Sequence, residues 1–255
     1  MRAIMVLLLG AMALGGCAGT IRDRIYQPIP LADTPVEFAG EAPRSVSTTT
    51  ADGLVLQGYY WPAEEGDDTL VVYFHGNSFN QLVGAQRAEP LRAGGHGVLV
   101  ASYRGYGGNP GSPSEAGLFT DGEAWLAEAR RLAPDARIFL FGHSLGGAVA
   151  LEIAARQDVE AIATLGTFAR MADQAPALAR GLVPDRFDNV AAIARVSEPV
   201  LLLHGTEDAV VDPAAATELE AAATGPVTLV RLTGAGHQVD LARIAERLWE
   251  AWLGD

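Results

Sequence analysis

Gly142-His143-Ser144-Leu145-Gly146 directly follows the apolar run Ile138-Phe139-Leu140-Phe141 and leads without a break into the small-residue stretch Gly147-Ala148-Val149-Ala150-Leu151. A Gly-x-Ser-x-Gly pentapeptide by itself says little in a chain with 29 glycines. Set between a buried strand and a helix it acquires a mechanical meaning. The turn is so sharp that side chains two positions either side of the serine would collide, and the hydroxyl is pushed out above the sheet. Such a serine is placed for nucleophilic attack on an acyl carbon. The helix that starts there aims its first amides, that of Leu145 among them, at negative charge developing on the attacked carbonyl oxygen.

A serine hydroxyl is a weak nucleophile until a base takes its proton, and the chain has five histidines to offer. His96 precedes an apolar run and so belongs to the wrong end of a strand, while His143 sits inside the turn and aims elsewhere; both read as structural. His75 and His204 end runs on the correct edge, but His75 opens a further motif and His204 leads into an acidic turn. His237, in the loop Gly234-Ala235-Gly236-His237 before the last helix, is the candidate base, with a packed core histidine as the alternative. In the chain order of this motif the acid lies between serine and histidine, which selects Gly205-Thr206-Glu207-Asp208. Asp208 is the choice for orienting the imidazole; Glu207 and Asp212 compete with it, or are solvated loop charges. His75-Gly76-Asn77 closes the run Leu70–Phe74 where a second oxyanion donor belongs, and the Asn77 amide is the candidate, with Ser78 the alternative.

The elements that must hold these residues are legible as recurrent Val-, Leu- and Ile-rich runs interleaved with Ala-rich helical stretches. That alternation marks an α/β chain with a mostly parallel sheet flanked by helices. The expected strands are Ser45–Thr50, Leu54–Trp61, Leu70–Phe74, Gly97–Tyr103, Arg137–Phe141, Ala161–Leu165, Val200–His204 and Val227–Leu232, about eight in all. Asp52-Gly53 supplies a hairpin turn between the first two, so the sheet should begin antiparallel. Helical spacing puts Trp125, Ala129 and Leu132 on one face of Gly117–Leu132, and Leu241, Ile244, Leu248 and Trp252 on one face of the last helix.

At 255 residues with 49% hydrophobic positions, the chain suits one large domain, running from about Ser45 to the end. A formal charge of −13 argues against nucleic acid and anionic membrane surfaces as partners. The glycine-rich Tyr103–Gly111 segment does not fit a dinucleotide loop, because Pro110 stands where the third glycine is needed; it reads as a loop near the site's rim. Metal-ligand spacing and a phosphate loop are missing, so no cofactor and no metal is expected. The N-terminus differs in kind. Arg2 and an apolar run from Ala3 to Leu14 end in Leu14-Gly15-Gly16-Cys17, too short to span a bilayer. Residues 1–16 read as an export signal of lipoprotein type, and Cys17 as the acylated first residue of a protein anchored to a membrane and facing the periplasm or cell exterior. The alternative is an ordinary small residue in a cleaved signal. Residues 17–44, with Pro28, Pro30, Pro35 and Pro43, suit an extended arm leading from that anchor.

Four motifs together carry a resemblance: Thr50-Ala51-Asp52-Gly53, His75-Gly76-Asn77, Tyr103-Arg104-Gly105-Tyr106-Gly107 with Gly111-Ser112-Pro113-Ser114, and Gly142-His143-Ser144-Leu145-Gly146-Gly147. From Tyr26 onward the chain resembles bacterial α/β-hydrolases of the serine-aminopeptidase-like and dienelactone-hydrolase-related groups. The resemblance implies the α/β-hydrolase fold and cleavage of a carboxylic ester or related acyl bond in a small-molecule substrate, with the second and fourth motifs framing oxyanion hole and nucleophile. Ser102 departs from it, since an aspartate is more usual before Tyr-Arg-Gly. A short cap insertion, Thr167–Ser197, either forms a flap through Phe168, Met171, Leu178, Leu182, Val183 and Phe187 or packs these on the core. A peptidase or thioesterase would use the same residues, and a non-catalytic envelope lipoprotein could keep the fold as a binding scaffold.

Overall fold

The computed structural model describes residues 21–31 and 35–254; residues 1–16, expected to be an export signal, and Cys17 lie outside the described residues. β1 (Arg44–Thr49) and β2 (Val55–Trp61) form the expected antiparallel hairpin. Six further strands follow: β3 (Thr69–Phe74), β4 (Gly97–Ala101), β5 (Arg137–His143), β6 (Ala161–Leu165), β7 (Val200–Gly205) and β8 (Val227–Leu232). The eight-stranded sheet has the order β1-β2-β4-β3-β5-β6-β7-β8, and every pairing from β4 to β8 is parallel. β3, β4, β6 and β7 are buried along their whole length, which is why they read as unbroken apolar runs.

Helices cover both faces. α1 (Gln81–Ala88) and α6 (Ala245–Leu253) pack on one, through Ala85, Ala88, Leu248 and Trp249. α2 (Glu115–Leu132), α3 (Leu145–Ala154), α4 (Asn189–Ile193) and α5 (Ala214–Ala222) cover the other, around Trp125, Val149, Ile193 and Leu219. The chain winds outward from β3 to β4 and returns past β3 to β5, so the order reverses between β3 and β5. The carboxyl ends at such a reversal leave a crevice. Here Phe74 pairs with Gly142 at that point, which sets Gly76-Asn77 beside Ser144. The expected single last helix is instead a 3-10 turn, Leu241–Arg243, followed by α6, with Leu241, Ile244 and Leu248 buried and Trp252 stacked on Phe139 at 4.9 Å. No helix among the described residues is long and apolar enough to cross a membrane.

Two expectations need correcting. The described part of residues 17–44 is not an arm leading away. Residues 21–25 are helical, Tyr26 is buried, Arg22 clamps Asp185 at 2.7 and 3.1 Å, and Asn77 donates its side-chain amide to the Ile25 carbonyl at 2.9 Å. Ile21 and Ile25, one helical turn apart, give the segment an apolar face that the prolines after it obscured. The Tyr103–Gly111 loop is likewise interior rather than a rim. Tyr103 and Tyr106 are fully buried, and Arg104 bridges the Asp52 carboxylate to that of Asp121, at 2.8 and 2.7 Å. The Tyr103 hydroxyl donates to the His75 carbonyl at 2.9 Å, bracing the end of β3 from behind.

Asp121 has no solvent exposure, and burial pushes its carboxyl above the usual range although Arg104 pulls it down. Removing the guanidinium leaves a buried charge without its cation, at a cost of about 3 kcal/mol. Arg104→Met is expected to lose about that much unfolding free energy in urea at neutral pH. Arg104→Met combined with Asp121→Asn should recover most of it.

Candidate active site

The turn from β5 to α3 bends at Ser144, whose backbone lies at φ 53°, ψ −113°. Among the described non-glycine residues only Phe187 shares a positive φ. A methyl group at position 142 would run into the Gly146 carbonyl, and one at 146 into the Phe74 carbonyl, so both glycines are required by close approach. The Ser144 amide donates to the Leu165 carbonyl at 2.8 Å, and the Thr167 hydroxyl to the Ser144 carbonyl at 3.2 Å. These bonds fix a strained residue from both sides.

His237 Nδ1 lies 2.8 Å from Asp208 Oδ2. The other carboxylate oxygen accepts the amides of Val210 and Val211 at 2.8 and 2.9 Å. Burial pushes this carboxyl up, but the Val211 amide, the His237 ring and the Val210 amide outweigh it and hold Asp208 below the usual carboxylate range. An ionised carboxylate against Nδ1 keeps that nitrogen protonated and leaves Nε2 as the basic one. Glu207 is exposed, and Asp212 is occupied with the Ala214 amide at 2.9 Å; neither stands beside His237.

Three further residues make this pair possible and were not legible in the sequence as site residues. Gly166 ends β6 with φ 61°, and a methyl there would lie 3.1 Å from His237 Nδ1 and 3.3 Å from Asp208 Oδ2, so the ring and the carboxylate rest directly on a bare backbone. His204 Nε2 stands 3.1 Å from the Val211 carbonyl and 3.3 Å from Asp208 Oδ2. Both neighbours are acceptors, so Nε2 carries the proton; it is donated to the Val211 carbonyl, with the Asp208 carboxylate close beside the ring. By the same reasoning His143, the histidine of the turn, donates its Nε2–H to the His237 carbonyl at 3.0 Å and so holds the loop that carries His237. The positional hint for all three was that they end a strand on the edge where Ser144 lies.

Ser144 and His237 open onto one cavity of about 660 Å³. Asn77, Ser78 and Leu145 line it beside the serine, and none of their amides has an acceptor among the described residues. Asn77 is held in place by the amide of Gln27, which donates to its carbonyl at 3.3 Å. The remaining walls are mostly apolar. Phe168, Met171, Leu182 and Val183 come from the insertion, and Ile21 and Ile25 from the N-terminal segment. The insertion thus does both things expected of it as alternatives: Phe187 packs in the core against Phe119 at 5.5 Å, while its neighbours roof the cavity. Ser102 is fully buried, its hydroxyl between His75 Nε2 and Gln81 Oε1 at 3.2 Å each, so no charge stands at that position. Among the described residues no cluster of three or more His, Cys, Asp or Glu side chains is arranged to hold a metal ion.

Residues 69–193 match the family model of the alpha/beta hydrolase fold. An uncharacterized protein of Mycobacterium tuberculosis is 36% identical over 252 residues, spanning 92% of this chain and 88% of its own length. YfhR of Escherichia coli, also uncharacterized, is 30% identical over 84% of this chain and 77% of its own. With these relatives and this sheet order, the chain belongs to the α/β-hydrolase family. Among solved structures, the Pyrococcus furiosus esterase PF2001 superposes with a TM-score of 0.73 at 18% identity, over 90% of this chain and 98% of its own. Est1E of Butyrivibrio proteoclasticus, with ferulic acid bound, gives 0.68 at 19% identity, over 82% and 99%.

Burial holds His143 neutral, with a pKa lowered to about 3, and does the same to His75, lowered to about 4. An unfolded histidine takes up its proton near pH 6.5, so below that pH the unfolded chain binds more protons than the folded one. The stability these two neutral rings allow is complete above pH 6.5 and is lost as pH falls toward 4 and 3. Urea unfolding at pH 5.5 is expected to give a free energy lower than at pH 7 by about 2–3 kcal/mol, from roughly 1.4 kcal/mol per unit per group. In His143→Gln the difference should shrink by about half.

Proposed function

We propose that the protein is a serine hydrolase that cleaves a carboxylic ester, with Ser144 as nucleophile, His237 as general base and Asp208 as the acid that orients it. The observation that carries this reading is the 2.8 Å pairing of His237 Nδ1 with an ionised Asp208, above the cavity that Ser144 enters. His237 Nε2 accepts the serine proton as Oγ attacks the ester carbonyl carbon. The oxyanion of the tetrahedral intermediate takes hydrogen bonds from the amides of Asn77 and Leu145, which have no competing acceptor. Collapse expels the alcohol, protonated by the imidazolium, and leaves an acyl group on Ser144. Water activated by the same imidazole then releases the acid and restores the enzyme. The apolar walls favour an aliphatic or aromatic acyl group over a charged one. The reading includes export through residues 1–16 and anchoring by acylation of Cys17.

A fluorophosphonate reagent is expected to label the wild-type chain and not Ser144→Ala; folded wild-type protein that resists labelling would remove the reading. On p-nitrophenyl esters of graded length, Asp208→Asn should lower kcat by on the order of 10⁴-fold, as loss of the orienting carboxylate does elsewhere. Amide and thioester substrates assayed alongside should be turned over more slowly than the esters.

Gly166→Ala offers an independent check on the pair. The added methyl must displace His237 or Asp208 by a few tenths of an ångström, a shift expected to lower kcat on the order of tenfold. Circular dichroism should stay unchanged. A fully active Gly166→Ala would show that the His237–Asp208 contact does not set the rate.

A further inference from the structure

The large hydrophobic side chains left exposed among the described residues are Val55, Leu178, Leu182 and Val210. Two of the four stand at the cavity, and a third lies on the same short helix as one of them. Leu182 and Val210 line it, and Leu178 lies on the same 3-10 helix as Leu182, Ala177–Leu182, with its side chain fully in solvent. Exposed apolar groups clustered on one rim mark a surface that something covers.

What covers it is indicated by where the described chain begins. Ile21 and Ile25 line the same cavity, and Arg22 locks their helical segment to Asp185. Cys17 and Ile21 are only four positions apart, a reach of about 14 Å when fully extended. A chain that short ties an acyl anchor at Cys17 to the side of the molecule where the cavity opens. The net charge of −13 supplies no attraction for anionic headgroups, so contact with lipid must be apolar.

We infer that the mouth of the active site is seated on the membrane, with Leu178, Leu182 and Val210 dipping into the lipid interface, and that the substrates are single-chain acyl esters drawn from the bilayer. This rests on the assignments of Ser144 as nucleophile and Cys17 as anchor. The substrate slides acyl chain first between the N-terminal segment and the insertion, and its ester reaches Ser144 without crossing water. The apolar walls receive the chain, while the products leave by the same route, the acid returning to the lipid and the small alcohol to water.

The test uses the full chain, made in a bacterial host with its own leader and reconstituted in phosphatidylcholine vesicles. Cys17 is the only cysteine, so once it is acylated a single introduced cysteine is the one free thiol. Spin labels are placed on Leu178→Cys, Leu182→Cys and Val210→Cys, and on Asp135→Cys just before β5, at the opposite edge of the sheet. Labels at 178, 182 and 210 are expected to relax with oxygen and to be shielded from a water-soluble nickel chelate, the label at 135 the reverse. Rim labels as open to the chelate as the one at 135 overturn the proposal. So does dipolar broadening between rim labels on two copies, which would make a second copy the occupant, and so does a mass spectrum lacking acyl groups on Cys17.

A second readout is kinetic. Leu178→Asp should cut hydrolysis of monoacylglycerol carried in the vesicles roughly tenfold, since a charge replaces a side chain that enters lipid. Hydrolysis of soluble p-nitrophenyl butyrate should be unaffected. Equal loss on both substrates, or loss on neither, overturns the proposal. Failure of the wild type to cleave the soluble ester instead strikes the assignment of Ser144, and the label pattern still decides how the mouth is oriented.

Discussion

The close approach of Gly146 to the Phe74 carbonyl is the contact on which the rest of the site depends. It presses the first turn of α3 against the end of β3 and leaves the chain between them so little room that Ser144 must take a positive φ. Such a conformation costs roughly 1–3 kcal/mol and persists only where its surroundings over-determine it. Here they do. The Ser144 amide is bonded to β6, its carbonyl is capped by Thr167, and the helix beyond is buried on almost every side. One contact therefore does two jobs: it thrusts the serine outward, and it sets the Leu145 amide next to the strand end that carries Asn77. Built from separate constraints, the serine and the amides of Leu145 and Asn77 could drift apart, whereas one shared contact holds them together.

Electrostatics then separates the histidines. His143 and His75 are buried deeply enough to stay neutral through the whole working range of pH, so each acts as a hydrogen-bond donor of fixed tautomer. His204 donates as well, to the Val211 carbonyl, and its ring lies 3.3 Å from Asp208 Oδ2. The carboxylate accepts two amides on one oxygen and faces two imidazoles on the other, which holds its charge despite burial and aims it. Of the five histidines, His237 is the one that faces both that charge and the cavity.

How much of this could be read from the sequence follows the range of the interactions involved. Buried parallel strands are continuous apolar runs because both faces are covered, so β3 through β7 could be located to within a residue or two; β4 stops two residues early, before Ser102 and Tyr103. Ser144, Asp208 and His237 could be picked because each ends a strand or follows one on a single edge. Gly166 ends a strand too, but nothing in its neighbours reveals that an imidazole will lie across it, since that contact spans 71 positions in the chain. The Tyr103–Gly111 loop misled for a related reason. Glycines and a proline suggest a surface loop, while the burial of Tyr103, Arg104 and Tyr106 is set by Asp52, Asp121 and His75, all distant in sequence. Prolines in the N-terminal segment likewise hid an apolar face two isoleucines wide.

Chemistry and selectivity are consequently carried by different parts of the chain. The groups that would make and break bonds stand on strand ends, where the register of the sheet fixes them. The walls that would choose an acyl group come from the insertion and from residues 21–25, which are tied to each other by Arg22–Asp185 and to the loop after β3 by Asn77–Ile25. Side chains there can change size without disturbing the elbow or the His237–Asp208 pair. The N-terminal segment is bound to Asn77 on one side and faces the cavity on the other, so whatever pulls on that segment is transmitted to the residue beside the oxyanion site before it reaches the core. A tether joined at this point would therefore pull on the candidate site itself.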